Sequence, residues 1–134
     1  MLWIGFRLVM VAVMELGETF LNAAQLTIST VQTEKGPVVS ASGEVDLTTV
    51  GLLRDPILNA VTSTDTPAVI VNLTQVDFID SAGLALLVEA RKLLSPEART
   101  LYVLLTKGRQ PERVLKLGRF DTIMRLSYSM DDVE

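Results

Sequence analysis

The chain has 134 residues, 49% of them apolar, and a formal net charge of -4. This length and composition suffice for one domain with a single apolar core and exclude a second full domain. Because the chain contains no cysteine and no histidine, it cannot form a zinc site of the usual ligands, a cysteine nucleophile or a Ser-His-Asp triad. The negative charge argues against direct nucleic-acid binding, and the lack of cysteine favours a cytoplasmic location.

The first 16 residues form an apolar stretch whose role the sequence leaves open. Arg7 and Glu15 are its charged residues, and Arg7 divides it into runs far shorter than the about 20 apolar residues of a membrane span. It shows neither the basic start nor the small-residue cleavage site of a secretory signal. Three interpretations remain: translation starts at Met14 rather than Met1, the segment packs on the core, or it buries apolar surface against another chain, which would create a homodimer.

Residues 25–43 have the pattern of a β-hairpin. Residues 25–31 alternate in the manner of an edge strand, residues 34–37 supply a glycine and proline turn, and residues 38–43 continue as a second strand. The start of the compact domain is therefore predicted to be antiparallel.

Helical spacing begins after Asp46, which is suited to cap the first helix. Pro56 removes a backbone donor and clashes with the preceding turn, so a kink or a break is expected near residues 54–55. The apolar positions that recur about once per turn are Val50, Leu53, Ile57 and Val61.

Strands and helices alternate in the rest of the chain. Residues 68–73 are apolar on both faces up to Asn72, as in a parallel strand at the centre of a sheet. A short loop then leads to the next helix. The later segments are predicted as helices over residues 81–94 and 111–117, strands over residues 100–105 and 123–126, and the start of a terminal helix at residue 129. This order predicts an α/β fold with mainly parallel central strands and right-handed crossovers.

The helix over residues 81–94 has two apolar faces. Its predicted core face contains Gly83, Leu86, Leu87, Ala90 and Leu94. On the opposite side, Leu84, Ala85 and Val88 surround Ser81, where a solvent-facing helix would usually carry charge. An exposed apolar strip beside a hydroxyl that can be modified suits a switchable protein interface. Alternatively, the N-terminal segment covers this strip.

Polar residues at the start of this helix have a structural and a functional interpretation. Asp80 or Ser81 is an ordinary helix N-cap, yet the unpaired amides of a helix N-terminus would also accept a phosphate on Ser81. Glu44 and Asp46 are paired carboxylates, but no nucleophile, metal ligand set or histidine accompanies them, so the chain is not expected to be an enzyme. No glycine-rich nucleotide motif occurs, and no cofactor or metal is predicted.

Five basic residues form a second cluster with two interpretations. It is either a solvated helix face or a docking patch for an acidic partner. Its members are Lys107, Arg109, Arg113, Lys116 and Arg119.

Three segments of the chain resemble the STAS domain of anti-sigma-factor antagonists. They are Gly43-Glu44-Val45-Asp46, Asp80-Ser81-Ala82-Gly83-Leu84 and Leu117-Gly118-Arg119-Phe120-Asp121. The resemblance covers residues 25–134 and leaves residues 1–24 as an N-terminal extension. It implies a mixed sheet of about five strands, with an N-terminal hairpin, a parallel centre and helices mainly on one side.

The resemblance also implies a role in bacterial signalling and transcription regulation. An anti-sigma factor that is a serine kinase would phosphorylate Ser81, with Asp80 presenting the serine and Asp46 contributing to partner binding. Ala82 replaces a second serine that is frequent in the family, and Asn72 replaces an acidic residue.

Two functions follow as hypotheses. In the first, the unphosphorylated chain antagonises the anti-sigma kinase and phosphorylation at Ser81 releases it. In the alternative, the chain is a constitutive subunit of a transport or signalling assembly. The residues expected to contact the partner are Asp46, Asp80, Ala82, Gly83, Leu84, Ala85 and Val88.

Overall fold

The computed structural model describes residues 19–23 and 25–134. This part contains six strands, three α-helices and short 3-10 turns. The strands are β1 (Thr19–Ala23), β2 (Leu26–Thr33), β3 (Gly36–Val45), β4 (Ala68–Ile79), β5 (Thr100–Leu104) and β6 (Arg125–Ser127). The helices are α1 (Val50–Ser63), α2 (Ser81–Leu94) and α3 (Gln110–Leu117). The 3-10 turns are Ser95–Glu97, Phe120–Thr122 and Met130–Asp132.

The described strands form one mixed sheet in chain order. β1, β2 and β3 are antiparallel neighbours, whereas β4, β5 and β6 each run parallel to the strand before them. Each parallel connection contains one helix, as such crossovers require. The predicted α/β class, with an N-terminal hairpin and a parallel centre, is confirmed.

The helices cover one face of the sheet. A large apolar cluster joins the sheet to α1, α2 and α3 through residues such as Val71, Ile57 and Leu87. The other face has a smaller cluster that includes Ile70 and Tyr102, together with Val133 near the C-terminus. The first half of β4 and most of β5 are apolar on both sides, because both faces of the sheet are covered there.

The interpretation of α2 from its apolar spacing is confirmed. The helix spans Ser81–Leu94, and its buried residues are Gly83, Leu86, Leu87, Ala90 and Leu94. Of the expected kink or break in α1, the break is wrong, because this helix continues from Val50 to Ser63 with Pro56 inside it. The kink stays a prediction. Burial of Leu53 and Ile57 on either side of the proline offsets the lost backbone bond.

The prediction of a short loop after residue 73 is also wrong. β4 continues to Ile79, and its second half pairs with β3, including Phe78 with Glu44 and Ile79 with Val45. Two register shifts between the strands accompany this extension, each with an extra residue in β4. Gln75 and Asp77 are exposed in this half, while Val76 is buried. Pairing with β3 therefore overrides the local loop pattern.

An additional strand lies before the predicted hairpin. β1 pairs with β2 from Thr19 opposite Thr30 to Ala23 opposite Leu26. The prediction that β2 is an edge strand is therefore wrong. β1 lies inside the extension of residues 1–24, and the boundary proposed there stays a prediction. Residues 1–16, with their three interpretations, lie outside the described residues. In the part that the structure describes, no helix has the length and apolar character needed to cross a membrane.

Candidate functional site

The ends of β3 and β4 meet at the same edge of the sheet. The Asp80 amide donates to the Val45 carbonyl at 3.0 Å, and the Leu47 amide donates to Asp80 Oδ2 at 3.1 Å. The turn that follows β3 and the start of α2 are therefore held together by Asp80. As expected from parallel strands, the sheet brings the Asp46 and Ser81 segments to one edge.

Asp80 is the N-cap of α2. Its Oδ1 accepts hydrogen bonds from the amides of Ala82 at 2.9 Å and Gly83 at 3.3 Å. The structural interpretation of Asp80 is thereby confirmed. The expectation that these amides are free to receive a phosphate is wrong, since the Asp80 carboxylate already occupies them.

Gly83 allows α2 to start directly above the strand ends. A Cβ atom at Gly83 would lie 2.5 Å from Ile79 Cγ1 and 2.8 Å from Val45 Cγ1. Both contacts are too short for any larger residue without movement of the core. The glycine of this segment is therefore needed for close packing of the helix on β3 and β4, and Gly83 itself is buried.

Asp46 organises the turn before α1. Its Oδ1 accepts from the Thr48 hydroxyl at 2.7 Å and from the amides of Thr48 and Thr49 at 2.9 Å and 3.1 Å. These bonds, first among them the Thr48 hydroxyl bond, lower the pKa of Asp46 below its ordinary value. The predicted cap position is one turn too early, because the N-cap of α1 is Thr49.

Ser81 lies exposed at the first position of α2. Beside it is an open groove of about 550 Å³ between the outer face of α2 and Phe120. Its lining residues are Ser81, Leu84, Ala85, Val88, Glu89, Lys92 and Phe120. Ala85 is exposed and Ala82, Leu84 and Val88 are half-buried, so the outer apolar strip predicted for α2 faces this groove.

Phe120 forms the opposite wall of the groove. The Phe120 ring packs back against Gly118 at the end of α3. A Cβ atom at Gly118 would lie 2.5 Å from Cε2 of the ring, so a larger residue there would displace the ring. The next residue, Arg119, turns the chain with a φ of 59°. Sequence reasoning did not assign Phe120 to the site, although the Leu117–Asp121 segment was one of the three that carried the resemblance.

An ion pair borders the groove on the side of α1. Arg54 Nη1 and Nη2 donate to the two carboxylate oxygens of Glu89 at 2.5 Å and 2.6 Å. Both side chains are substantially exposed, so the pair fixes the orientation of Glu89 more than it stabilises the fold. Lys92 stands one turn further along α2.

Gln110 is a residue near the site that sequence reasoning missed. Its Oε1 accepts from the Ile79 amide at 2.8 Å, and its Nε2 donates to the Ile79 carbonyl at 2.9 Å. One side-chain amide at the start of α3 thus pairs with the last residue of β4. No local pattern signals such a contact, because its partners are far apart in sequence.

The basic cluster lies on α3 and its flanking turns, and its five side chains are exposed. Arg109 pairs with Asp77 at 3.3 Å, and Arg119 approaches Asp121 at 3.8 Å. Lys107 and Lys116 stand over the Tyr128 ring, at 5.7 Å and 5.5 Å from its centroid. These contacts are those of a solvated face, and the docking interpretation of this patch stays a prediction.

Glu112 lies buried beneath this basic cluster. It accepts hydrogen bonds from the Tyr128 hydroxyl and from the Gly108 amide, the latter at 2.8 Å. It also forms an ion pair with Lys116 at 3.3 Å. The Tyr128 bond is the main cause that lowers the pKa of Glu112 to about 2. The carboxylate therefore stays charged while it joins α3 to the chain that follows β6.

The residues of the site are suited to contact with another molecule. Among residues 19–23 and 25–134, no group of three or more Asp and Glu side chains is placed to hold a metal ion. Asp46 and Asp80 use their oxygens on backbone amides, and Ser81 has its hydroxyl beside an apolar groove. The arrangement can present one modifiable hydroxyl to another molecule.

The fold and this edge of the sheet define a known class of protein. The family model of the STAS domain matches residues 27–133, so the chain belongs to the STAS domain family. The resemblance drawn from the three sequence segments is confirmed.

Particular relatives are anti-sigma factor antagonists. The anti-sigma-B factor antagonist of Staphylococcus aureus is 35% identical over 79 residues, which cover 59% of this chain and 72% of that protein. The crystal structure of an anti-sigma factor antagonist from Mycobacterium paratuberculosis has a TM-score of 0.74 and 28% identity, covering 84% of this chain and 95% of that one. The Bacillus cell fate determinant SpoIIAA in its phosphorylated form shares the fold. Its TM-score is 0.57 at 21% identity, and the match covers 78% of this chain and 94% of that one.

Proposed function

We propose that this chain is an anti-sigma-factor antagonist. In its unmodified form it binds an anti-sigma factor that is also a serine kinase, which frees a sigma factor for transcription in the cytoplasm. The kinase then phosphorylates Ser81 and the contact ends. The proposed contact surface consists of Asp46, Asp80, Ala82, Leu84, Ala85 and Val88; Gly83, expected from the sequence to belong to it, is buried and positions α2 instead. The names of the Staphylococcus and Mycobacterium relatives support the general role.

One observation carries this proposal most directly. Ser81 is exposed and borders the groove between Leu84, Ala85, Val88 and Phe120. Apolar walls of this kind gain free energy when a partner removes them from water. A phosphate on Ser81 would stand at the rim of the same surface.

The charge of the phosphate accounts for release. A phosphoserine adds about -1.5 to -2 charges at neutral pH. Asp80 already occupies the amides of Ala82 and Gly83, so the phosphate stands beside a carboxylate and not in an empty anion site. The added charge then repels acidic groups and costs desolvation when a partner covers the groove. The fold of the domain itself needs no change.

A binding titration tests the switch. Ser81→Asp is expected to weaken binding to the anti-sigma kinase by about tenfold or more, whereas Ser81→Ala keeps the affinity of the unmodified chain. Ser63→Asp is the matched control, because Ser63 is an exposed serine at the far end of α1. Equal affinities for the two Ser81 variants would contradict the proposal.

Mass spectrometry of the chain isolated from its own cells tests the modification. A phosphate on Ser81 is expected in part of the population. A constitutive subunit of a transport or signalling assembly need never carry it, so its consistent absence would favour that alternative function.

A further inference from the structure

We infer that Gln110 is a positioning residue for the Ser81 turn, which it holds through Ile79. The inference rests on the proposed function in one respect, namely that Ser81 is the residue to be modified. The side-chain amide of Gln110 makes two hydrogen bonds to the backbone of Ile79, at 2.8 Å and 2.9 Å. Ile79 is followed directly by Asp80 and Ser81.

The backbone at the end of β4 needs a hydrogen-bonding partner on the side away from β3. β5 pairs with β4 only from Ala68 to Asn72, so the second half of β4 has β3 as its strand neighbour on one side. The Asp80 amide faces β3, where it donates to Val45. The amide and carbonyl of Ile79 face the opposite way, and Gln110 satisfies both. A carboxamide is suited to this position because it contains one donor group and one acceptor.

Neighbouring contacts strengthen the same junction. The Thr106 hydroxyl donates to the Thr74 carbonyl at 2.8 Å, and Arg109 pairs with Asp77. The segment before α3 therefore takes the place of a strand beside the second half of β4. Within it, Gln110 contacts the residue closest to Ser81.

The position of Ile79 determines that of the helix start in two ways. Its backbone leads into the Asp80 cap, and its side chain packs under Gly83, where a Cβ atom would meet Ile79 Cγ1 at 2.5 Å. Loss of the Gln110 bonds frees the end of β4 to move relative to α3, while its bond to β3 through the Asp80 amide remains. The Ser81 hydroxyl would then sample positions that a kinase does not accept, without loss of the fold.

Amide exchange in the full chain tests the contact. In Gln110→Ala, the Ile79 amide is expected to exchange with deuterium about tenfold faster than in wild type, because it loses its acceptor. Gln110→Glu is expected to be intermediate, since an ionised carboxylate accepts from the Ile79 amide but cannot donate to its carbonyl. Val114→Ala is the matched control, because Val114 is a half-buried residue of α3 that packs on the core. Its exchange rates report general destabilisation alone.

The fraction of Ser81 that carries phosphate in cells tests the consequence. Gln110→Ala is expected to lower this fraction at least about threefold relative to Val114→Ala, with Gln110→Glu in between. Equal Ile79 exchange in Gln110→Ala and Val114→Ala would overturn the inference, and so would equal phosphate fractions. If wild type carries no phosphate on Ser81, the proposed function fails, while the exchange rates still decide whether Gln110 holds the turn.

Discussion

At Gly83, the absence of a side chain decides how closely α2 approaches the sheet. The nearest atoms to an added Cβ belong to Ile79 and Val45, which are both almost fully buried. These side chains have no free space into which they can move. The same close approach lets Asp80 cap α2 while it receives the Leu47 amide.

Gly83→Ala is therefore expected to destabilise the protein by about 1 to 3 kcal/mol, because overpacking outweighs the better helix propensity of alanine. Urea denaturation measures this change. Gly51→Ala is the control, since nothing lies within 4 Å of an added Cβ there; it is expected to stabilise the protein by up to about 1 kcal/mol. A similar gain in both variants would show that α2 can move away from the strands.

Among the elements, α3 connects the site to the C-terminal part of the chain. Gln110 at its start contacts the end of β4, and Glu112 on its buried side contacts Tyr128 after β6. The end of α3 leads into Phe120, the wall of the groove. A helix of eight residues is too short to be stable alone, so these contacts determine its position.

The pH dependence of stability tests the contacts of Glu112. Its pKa is lowered from 4.5 to about 2 in the folded state, so the folded protein binds this proton less readily than the unfolded chain. The stabilisation is fully present above the unfolded pKa and is lost as the pH falls through about 2. Glu112→Gln removes it.

Urea denaturation of wild type and Glu112→Gln over a pH series measures this effect. Wild type is expected to be more stable by a constant amount above about pH 5, and the difference is expected to shrink between about pH 4.5 and pH 2. A difference that does not change over this range would contradict the role of the Glu112 charge.

The elements differ in how far sequence alone predicts them. α2 is predicted to its bounds, because its apolar residues recur with the helical period and Asp80 marks its start. The second half of β4 is not predicted from the sequence, because the polar residues Thr74, Gln75 and Asp77 are typical of a loop. Their strand conformation comes from pairing with β3. β1 is not predicted, because its five residues lack a regular alternation of apolar and polar positions and its strand conformation comes from pairing with β2.

For the molecule as a whole, the three segments of the resemblance converge on one region. The Asp46 turn and the start of α2 share the carboxyl edge of the sheet, and Phe120 reaches the groove beside Ser81. The helices occupy one face of the sheet. In the part of the chain that the structure describes, the outer side of α2 is therefore open to a partner. The proposed function therefore uses one continuous region.

Self-association through residues 1–16 is a prediction for the whole chain. Their apolar side chains are unfavourable in water, so the full chain of 14.7 kDa is expected to scatter light as a dimer and a chain lacking residues 1–16 as a monomer. Equal masses per particle for both would contradict association and favour packing of the segment on its own core.

The sequence by itself determined the order of strands and helices from β2 onward, the buried side of α2, and the presence of a polar cap before an apolar helix. These features are local, since they depend on periodicity and on residues a few positions apart. The tertiary structure alone decided that Gln110 holds Ile79, that Asp80 joins two turns, and that Phe120 forms a groove with α2. Such contacts join residues far apart in the chain, and packing of the sheet and its helices is what brings them within reach of one another.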